Sequence, residues 1–338
     1  MKAFVLDGGF GLENLKLREL ATPAPGPGQV RLRMLAASLN YRDVLMARGL
    51  YNPRQRLPLV VASDGVGTVD AVGEGVTQWR LGDRVCPNFV QGWVSGEPTR
   101  DKLRTSLGGP LDGTLAEYRV FDASSVVAVP AALTDEAAAT LPCAGLTAWS
   151  ALVTQGRLTA ADTVLVLGTG GVSIFTLQIA KLIGARVLVT SSSDEKLARA
   201  RALGADETIN YRTVPEWGKW AKELTAGRGV DHVMEVGGAG TLEQSLRAVR
   251  IGGTISIVGV LAGSAPALNL LPVLMQNIRL QGVIVGHREG FEEFMRAIEH
   301  GSLTPVVDRT FPFEDTVAAF EHLASGSHFG KVAIRIAN

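Results

Sequence analysis

Residues 164–173 read Val-Leu-Val-Leu-Gly-Thr-Gly-Gly-Val-Ser, four apolar residues running straight into a glycine-rich turn. Such a turn brings backbone amides against an anion. Gly168 permits the sharp bend, and Gly170 lacks the Cβ that would hold a diphosphate away from the N–H groups of a following helix, whose dipole favours negative charge. The elements needed to position it stand on either side. The apolar run predicts a buried parallel strand. Ile174, Leu177, Ile179, Ala180, Leu182 and Ile183 fall mostly at helical spacing up to a C-cap at Gly184, and residues 186–190 predict a second strand. Strand, turn, helix and strand within about 30 residues form the unit that binds dinucleotides. The third glycine of G-x-G-x-x-G is replaced by Ser173, which predicts a slightly wider helix–strand contact. Gly168, Thr169, Gly170, Gly171, Val172 and Ser173 are the candidate cofactor residues of this turn.

The end of the second strand decides which dinucleotide. A carboxylate about 20 residues beyond the glycines would bind the ribose hydroxyls of NAD and repel a 2′-phosphate. Here Ser191 and Ser192 stand at that point, with Lys196 one helical turn further and Tyr211 after the strand at 207–210, so NADP(H) is expected. Asp194 and Glu195 weigh the other way, and Ser192 with Glu195 also reads as a capping box for a helix over 194–203. Gly237, Gly259 and Val260 end later strands and join the cofactor candidates, because ligands bind at the carboxyl ends of parallel strands.

Composition narrows the partners. Basic and acidic residues balance at 33 each without a basic cluster, which argues against nucleic acid and anionic membranes and leaves a small-molecule substrate. Two cysteines, Cys86 and Cys143, cannot form a disulfide framework, and neither a signal segment nor a long apolar span is evident, so a cytoplasmic location is expected.

Residues 1–124 read as short strands (2–6, 29–36, 67–72, 84–87, 116–120) between Gly, Pro and Asp turns, a mostly β, barrel-like domain. From 125 to 287 strands and helices alternate, the pattern of a doubly wound parallel sheet. Residues 288–338 carry two helices and a last strand that are expected to return to the first domain. The fold class is therefore α/β, a Rossmann sheet plus a mostly β domain. The apolar run 278–285 predicts an edge strand that pairs with its twofold mate in a homodimer.

This arrangement resembles the medium-chain dehydrogenase/reductase superfamily, in which the β-rich part is a GroES-like domain. The resemblance rests on Ser-Leu-Asn-Tyr-Arg-Asp (38–43), Arg-Gly-Leu-Tyr (48–51), Ser-Asp-Gly-Val-Gly-Thr-Val (63–69), Gly-Asp-Arg (82–84), Leu-Pro-Cys (141–143) with Thr147 and Trp149, and the glycine turn. Within it the chain looks like the zinc-independent branch of quinone oxidoreductases and enoyl reductases. Zinc-containing relatives carry ligands where this chain has Asn40, Ser63 and Cys143, and a four-cysteine lobe where residues 84–112 offer Cys86 alone, so no metal is expected.

Without a Lewis acid, a substrate oxygen must be held by hydrogen-bond donors and the proton must come from a side chain or solvent. The resemblance implies Asn40, Tyr51 and Asp43 for these roles, with Asp43 also readable as the N-cap of a helix over 44–48 and Tyr51 as an exposed loop aromatic. It places Thr147, four residues beyond Cys143, toward the nicotinamide, and Lys331 of His-Phe-Gly-Lys (328–331) toward the nucleotide; a core threonine and a solvated lysine are the plain alternatives. The expected activity is NADPH-dependent hydride transfer to a quinone or an activated C=C in a dry cleft. An NAD(P)-dependent alcohol dehydrogenase or carbonyl reductase is the alternative enzyme, and an NADPH-binding protein without turnover the alternative of another class.

Overall fold

The computed structural model describes residues 1–259, 261, 269–301 and 303–337. Val260 therefore lies outside the described residues. The chain divides into two units, Met1–Leu146 with Val285–Asn338, and Thr147–Ile284.

The first unit is built from β1 (Lys2–Leu6), β2 (Leu15–Glu19), β3 (Gln29–Leu39), β4 (Leu59–Val60), β5 (Asp64–Val72), β6 (Arg84–Pro87), β7 (Tyr118–Asp122) and β8 (Val126–Ala128). Alternating burial along β3, with Val30, Leu32, Met34 and Ala36 inside, shows why it forms: a half-buried strand needs an apolar residue at every second position. β3 pairs with β5 along most of its length, through two register shifts, and with β7 over residues 29–33 in unbroken register. Its last residues meet β5 through Ser38 opposite Asp64.

The second unit contains β9 (Thr163–Leu167), β10 (Arg186–Ser191), β11 (Glu207–Asn210), β12 (Val230–Glu235), β13 (Val249–Ile257) and β14 (Arg279–Gly282). They form one parallel sheet in the order β11-β10-β9-β12-β13-β14. The order reverses between β9 and β12, which makes that junction the switch point of the sheet. β9 is buried along its whole length, as a strand covered on both faces must be. Leu165, Leu188, Val233, Leu246 and Ile255 pack into one core with Trp217.

The chain then returns to the first unit with β15 (Val307–Pro312) and β16 (Lys331–Arg335). β16 pairs antiparallel with β3, Val332 opposite Leu39, and completes the sheet β15-β16-β3-β5-β6-β8. Phe4, Leu39, Val44, Phe320, Val332 and Ile334 share its core.

Residues 125–146 belong with the first unit rather than with the nucleotide-binding segment that the alternation pattern drew from 125 to 287. The reason is pairing: β8 joins β6 through Val85 opposite Ala128, and the helix Asp135–Ala139 packs on β3 and β5. Alternation of strand and helix begins only at β9.

Candidate active site

Three stretches far apart in sequence meet at one end of the first unit's sheet. The register that sets Ser38 against Asp64 and Leu39 against Val332 brings together Asn40 just after β3, Asp64 at the start of β5 and Lys331 at the start of β16. Lys331 is buried. Its ammonium donates to Leu39 O at 2.8 Å, Asn40 Oδ1 at 2.6 Å and Asp64 Oδ2 at 3.3 Å, which uses all three of its donors. The alternative of a solvated lysine is thus corrected: its ammonium is bound inside the first unit.

Asn40 completes the cluster from the other side. Its Nδ2 donates to Asp64 Oδ2 at 2.8 Å and approaches Ser63 Oγ at 3.4 Å. Both ends of the carboxamide are therefore engaged, so Asn40 fixes the cluster instead of offering a free amide. Asp64 is wholly buried; Oδ2 takes both bonds, while Oδ1 is buried without a partner among the described residues. Burial raises its carboxyl to about 6 against the pull of Lys331 and the Asn40 bond. In water a carboxylate would titrate two units lower, so removal from solvent outweighs the neighbouring cation.

Asp43 sits at the third position of the helix Tyr41–Ala47, and Asn40, not Asp43, is its N-cap. The expected N-cap role of Asp43 is corrected accordingly. Asp43 Oδ2 accepts from Asn40 N at 2.8 Å and Oδ1 from Arg42 Nη1 at 3.3 Å. With both oxygens bound and the side chain buried, Asp43 acts through its neighbours. Burial raises its carboxyl, opposed chiefly by Arg42. Arg42 in turn donates to Leu107 O and Gly109 O and lies over the rings of Tyr51 at 4.9 Å and Phe89 at 5.0 Å. Tyr51 is 54% exposed, which leaves its phenol open to solvent and to a substrate.

Cys143 stands in a π-helical turn, Leu141–Gly145, followed by one α turn, Leu146–Trp149, that holds Thr147. The wider turn replaces the simple α spacing expected between Cys143 and Thr147. Thr147 is buried. Burial raises the Cys143 thiol far above its ordinary range and Asp64 adds to it, so the sulfur is a neutral wall.

In the second unit the glycine turn has the geometry that an anion requires. Gly168 adopts φ +72°, a left-handed conformation open to glycine and strained for other residues. Gly170 is the N-cap of the helix Gly171–Ile183 and contributes no side chain to it. The first helical bond runs from Ile174 N to Gly170 O, so the amides of Gly171, Val172 and Ser173 precede it. Ser173 Oγ donates to Leu167 O at 2.7 Å, a bond from helix to strand end where the fingerprint has a glycine. Thr169 is buried in the turn.

Beyond β10, Ser191 is buried and Ser192 half-buried. The helix Asp194–Ala202 is capped by Ser193, whose hydroxyl accepts from Lys196 N at 3.3 Å. This corrects the reading of Ser192 as the cap and leaves its hydroxyl outside the capping bond. Asp194 accepts from Asn210 Nδ2 at 2.9 Å, and Tyr211, half exposed, donates its N–H to Ser191 O. Gly237 and Gly259 follow β12 and β13 at their carboxyl ends.

Two carboxylates were missed as site residues by sequence reasoning. Asp64 stood only as part of the stretch Ser-Asp-Gly-Val-Gly-Thr-Val (63–69). Glu235 ends β12 completely buried and accepts four hydrogen bonds. The signal for it was a charge inside the apolar run Val-Met-Glu-Val (233–236), because a buried charge demands partners.

Comparison with known proteins agrees with this architecture. Residues 26–131 match the alcohol dehydrogenase GroES-like domain and 171–300 the zinc-binding dehydrogenase family. A zinc-type alcohol dehydrogenase-like protein of Schizosaccharomyces pombe is 42% identical over 96% of both chains. An acryloyl-coenzyme A reductase of Metallosphaera sedula is 31% identical over 99% of both. Among solved structures, a NAD-dependent alcohol dehydrogenase superposes with a TM-score of 0.91 at 36% identity over the full length of both chains. A mycobacterial protein complexed with NADPH gives 0.83 at 28% identity, covering 99% of this chain and 100% of that one.

The residues here do not fit a catalytic zinc. Zinc takes thiolate, neutral imidazole or carboxylate donors. Asn40 and Ser63 are neutral, and the Lys331 ammonium is bonded to Asn40 and Asp64, so a dication would meet a fixed cation. A nicotinamide dinucleotide does fit, on the open turn at Gly168 and the free first-turn amides after Gly170. With both domain families matched in order along a chain that superposes end to end on solved members, this protein belongs to the medium-chain dehydrogenase/reductase superfamily and is a NAD(P)H-dependent oxidoreductase.

Proposed function

We propose that this oxidoreductase works without zinc, prefers NADPH and delivers hydride to an activated C=C, with quinones as further acceptors. The observation that carries the reading is the Lys331 ammonium bonded to Asn40, where the resemblance puts a metal ligand, and to Asp64, next to the second such position at Ser63. The acryloyl-coenzyme A reductase among the relatives supports reduction at a C=C. Ser191, Ser192 and Lys196 at the end of β10, with Asp194 turned to Asn210, support a 2′-phosphate, as does the NADPH-bound neighbour.

The bound dinucleotide supplies the hydride. Gly168, Thr169, Gly170, Gly171, Val172 and Ser173 would hold its diphosphate, Ser192, Lys196 and Tyr211 its ribose phosphate, and Thr147, Gly237 and Gly259 would complete the contact set. Asp43 and Lys331 fix Asn40 from its backbone and its carboxamide. Tyr51, exposed and seated on Arg42, delivers the proton that follows hydride addition. Association is a homodimer through β14, the outer strand of the parallel sheet, beside the exposed Leu270, Leu271, Leu274 and Met275.

The test is NADPH oxidation by chelator-treated protein against enones, quinones, aldehydes and ketones, with NADH in parallel. Turnover of enones or quinones that survives chelation supports the reading. Activity confined to aldehydes and ketones and restored by zinc overturns it.

A further inference from the structure

Glu235 lies at the carboxyl end of β12, across the switch point from the glycine turn. The register that pairs Val233 with Leu165 and Met234 with Val166 carries β12 forward so that its end faces the end of β9, where Gly168 begins the turn. A ligand of this sheet is expected at that junction. The loop leaving β12 is therefore the second wall of the nucleotide seat.

That loop is gathered on one carboxylate. Glu235 Oε1 accepts from Gly237 N at 2.8 Å, Gly238 N at 3.0 Å and Thr241 Oγ1 at 2.5 Å. Oε2 accepts from Ser245 Oγ at 2.5 Å, on the helix Leu242–Ala248. One oxygen thus organises the loop while the other ties the carboxylate to the helix behind it. The turn is closed so tightly that a Cβ at Gly237 would lie 2.3 Å from Thr241 Oγ1. Backbone bonds from Val258 N to Glu235 O and Leu261 N to Val236 O tie the same segment to the end of β13. A buried carboxylate with four donors is satisfied only in this one loop conformation, because releasing the loop strands the charge.

We infer that Glu235 is a positioning residue for the cofactor: it presets the loop at residues 236–241 so that the nucleotide does not have to order it on binding. The inference needs only dinucleotide binding, and so is independent of the acceptor that the enzyme reduces. Its role lies in geometry, not in negative charge, since glutamine offers the same acceptor on the Oε1 side and the Ser245 hydroxyl can reverse to accept from the amide nitrogen.

The experiment titrates NADPH, and separately NADH, into the full chain by calorimetry, with thermal denaturation of each apo variant alongside. Thr241→Val, nearly isosteric, removes one donor and is expected to weaken binding about threefold to tenfold. Glu235→Leu removes the whole hub and is expected to weaken binding by more than about thirtyfold, and Glu235→Gln restores affinity to within about threefold of the natural chain. Thr241→Val or a folded Glu235→Leu that loses thermal stability while cofactor affinity stays unchanged overturns the inference. So does Glu235→Gln binding as poorly as Glu235→Leu. If Glu235→Leu does not fold, Thr241→Val decides alone.

Discussion

Replacing Lys331 by methionine keeps most of the side-chain volume but leaves the Asp64 carboxylate buried without its cation. Breaking a buried pair from one side costs about 3–5 kcal/mol, so urea denaturation of Lys331→Met should show a loss of that size at pH 8. The pH dependence has a defined sign. The Asp64 carboxyl is raised from 3.8 to about 6, so protonation favours the folded state. Its contribution is fully present below pH 4 and is lost as pH rises through 6. Against Asp64→Asn, which does not titrate, the stability of the natural chain should therefore fall by on the order of 3 kcal/mol between pH 4 and pH 7. A difference independent of pH would show that Asp64 is ionised throughout. Asn40 and Cys143 were marked by the motifs that carry the family resemblance. The place of Lys331 could not, because a lysine at a strand start is ordinarily solvated and only the pairing of β16 with β3 carries it inside.

Elements that depend on local signals were legible in the sequence, and those that depend on pairing were not. The helix Gly171–Ile183 begins and ends where glycines cap it, and β1, β6 and β11 occupy the residues that their apolar patterns mark. β7 lies two residues beyond its expected position, and β3 runs three residues further, because their ends are set by antiparallel partners rather than by composition. The element proposed to select the cofactor is the junction of β10 with the next helix. Ser193 carries the capping bond, so Ser192 can be changed without uncapping the helix. A carboxylate introduced by Ser192→Asp sets like charge against a 2′-phosphate, and the ratio of kcat/KM for NADPH over NADH should fall about 10- to 100-fold. At the turn itself, Gly168→Ala forces φ +72° on a residue with a Cβ, and should weaken the binding of both dinucleotides while lowering stability by about 1 kcal/mol, measurable by calorimetry.

At the scale of the whole molecule, β14 is the outer strand of the parallel sheet, its far edge without a strand partner among the described residues, with Leu274 at 76% and Met275 at 72% exposure nearby. Light scattering should report a homodimer, and Leu274→Glu combined with Met275→Glu should shift it toward monomer. A monomer in the natural chain at micromolar concentration would refute the proposed association. The discontinuity of the first unit sets an order of events during synthesis. Residues 147–284 are contiguous and contain every strand of the parallel sheet, so that sheet can close as soon as β14 has left the ribosome. Asn40 and Asp64 emerge before Lys331, which bonds to them across sequence separations of 291 and 267 residues. Throughout that interval the earliest-made sheet exposes β3 where β16 will pair, and holds a carboxylate that it cannot yet neutralise. β16 with Lys331 is the segment that ends this exposure.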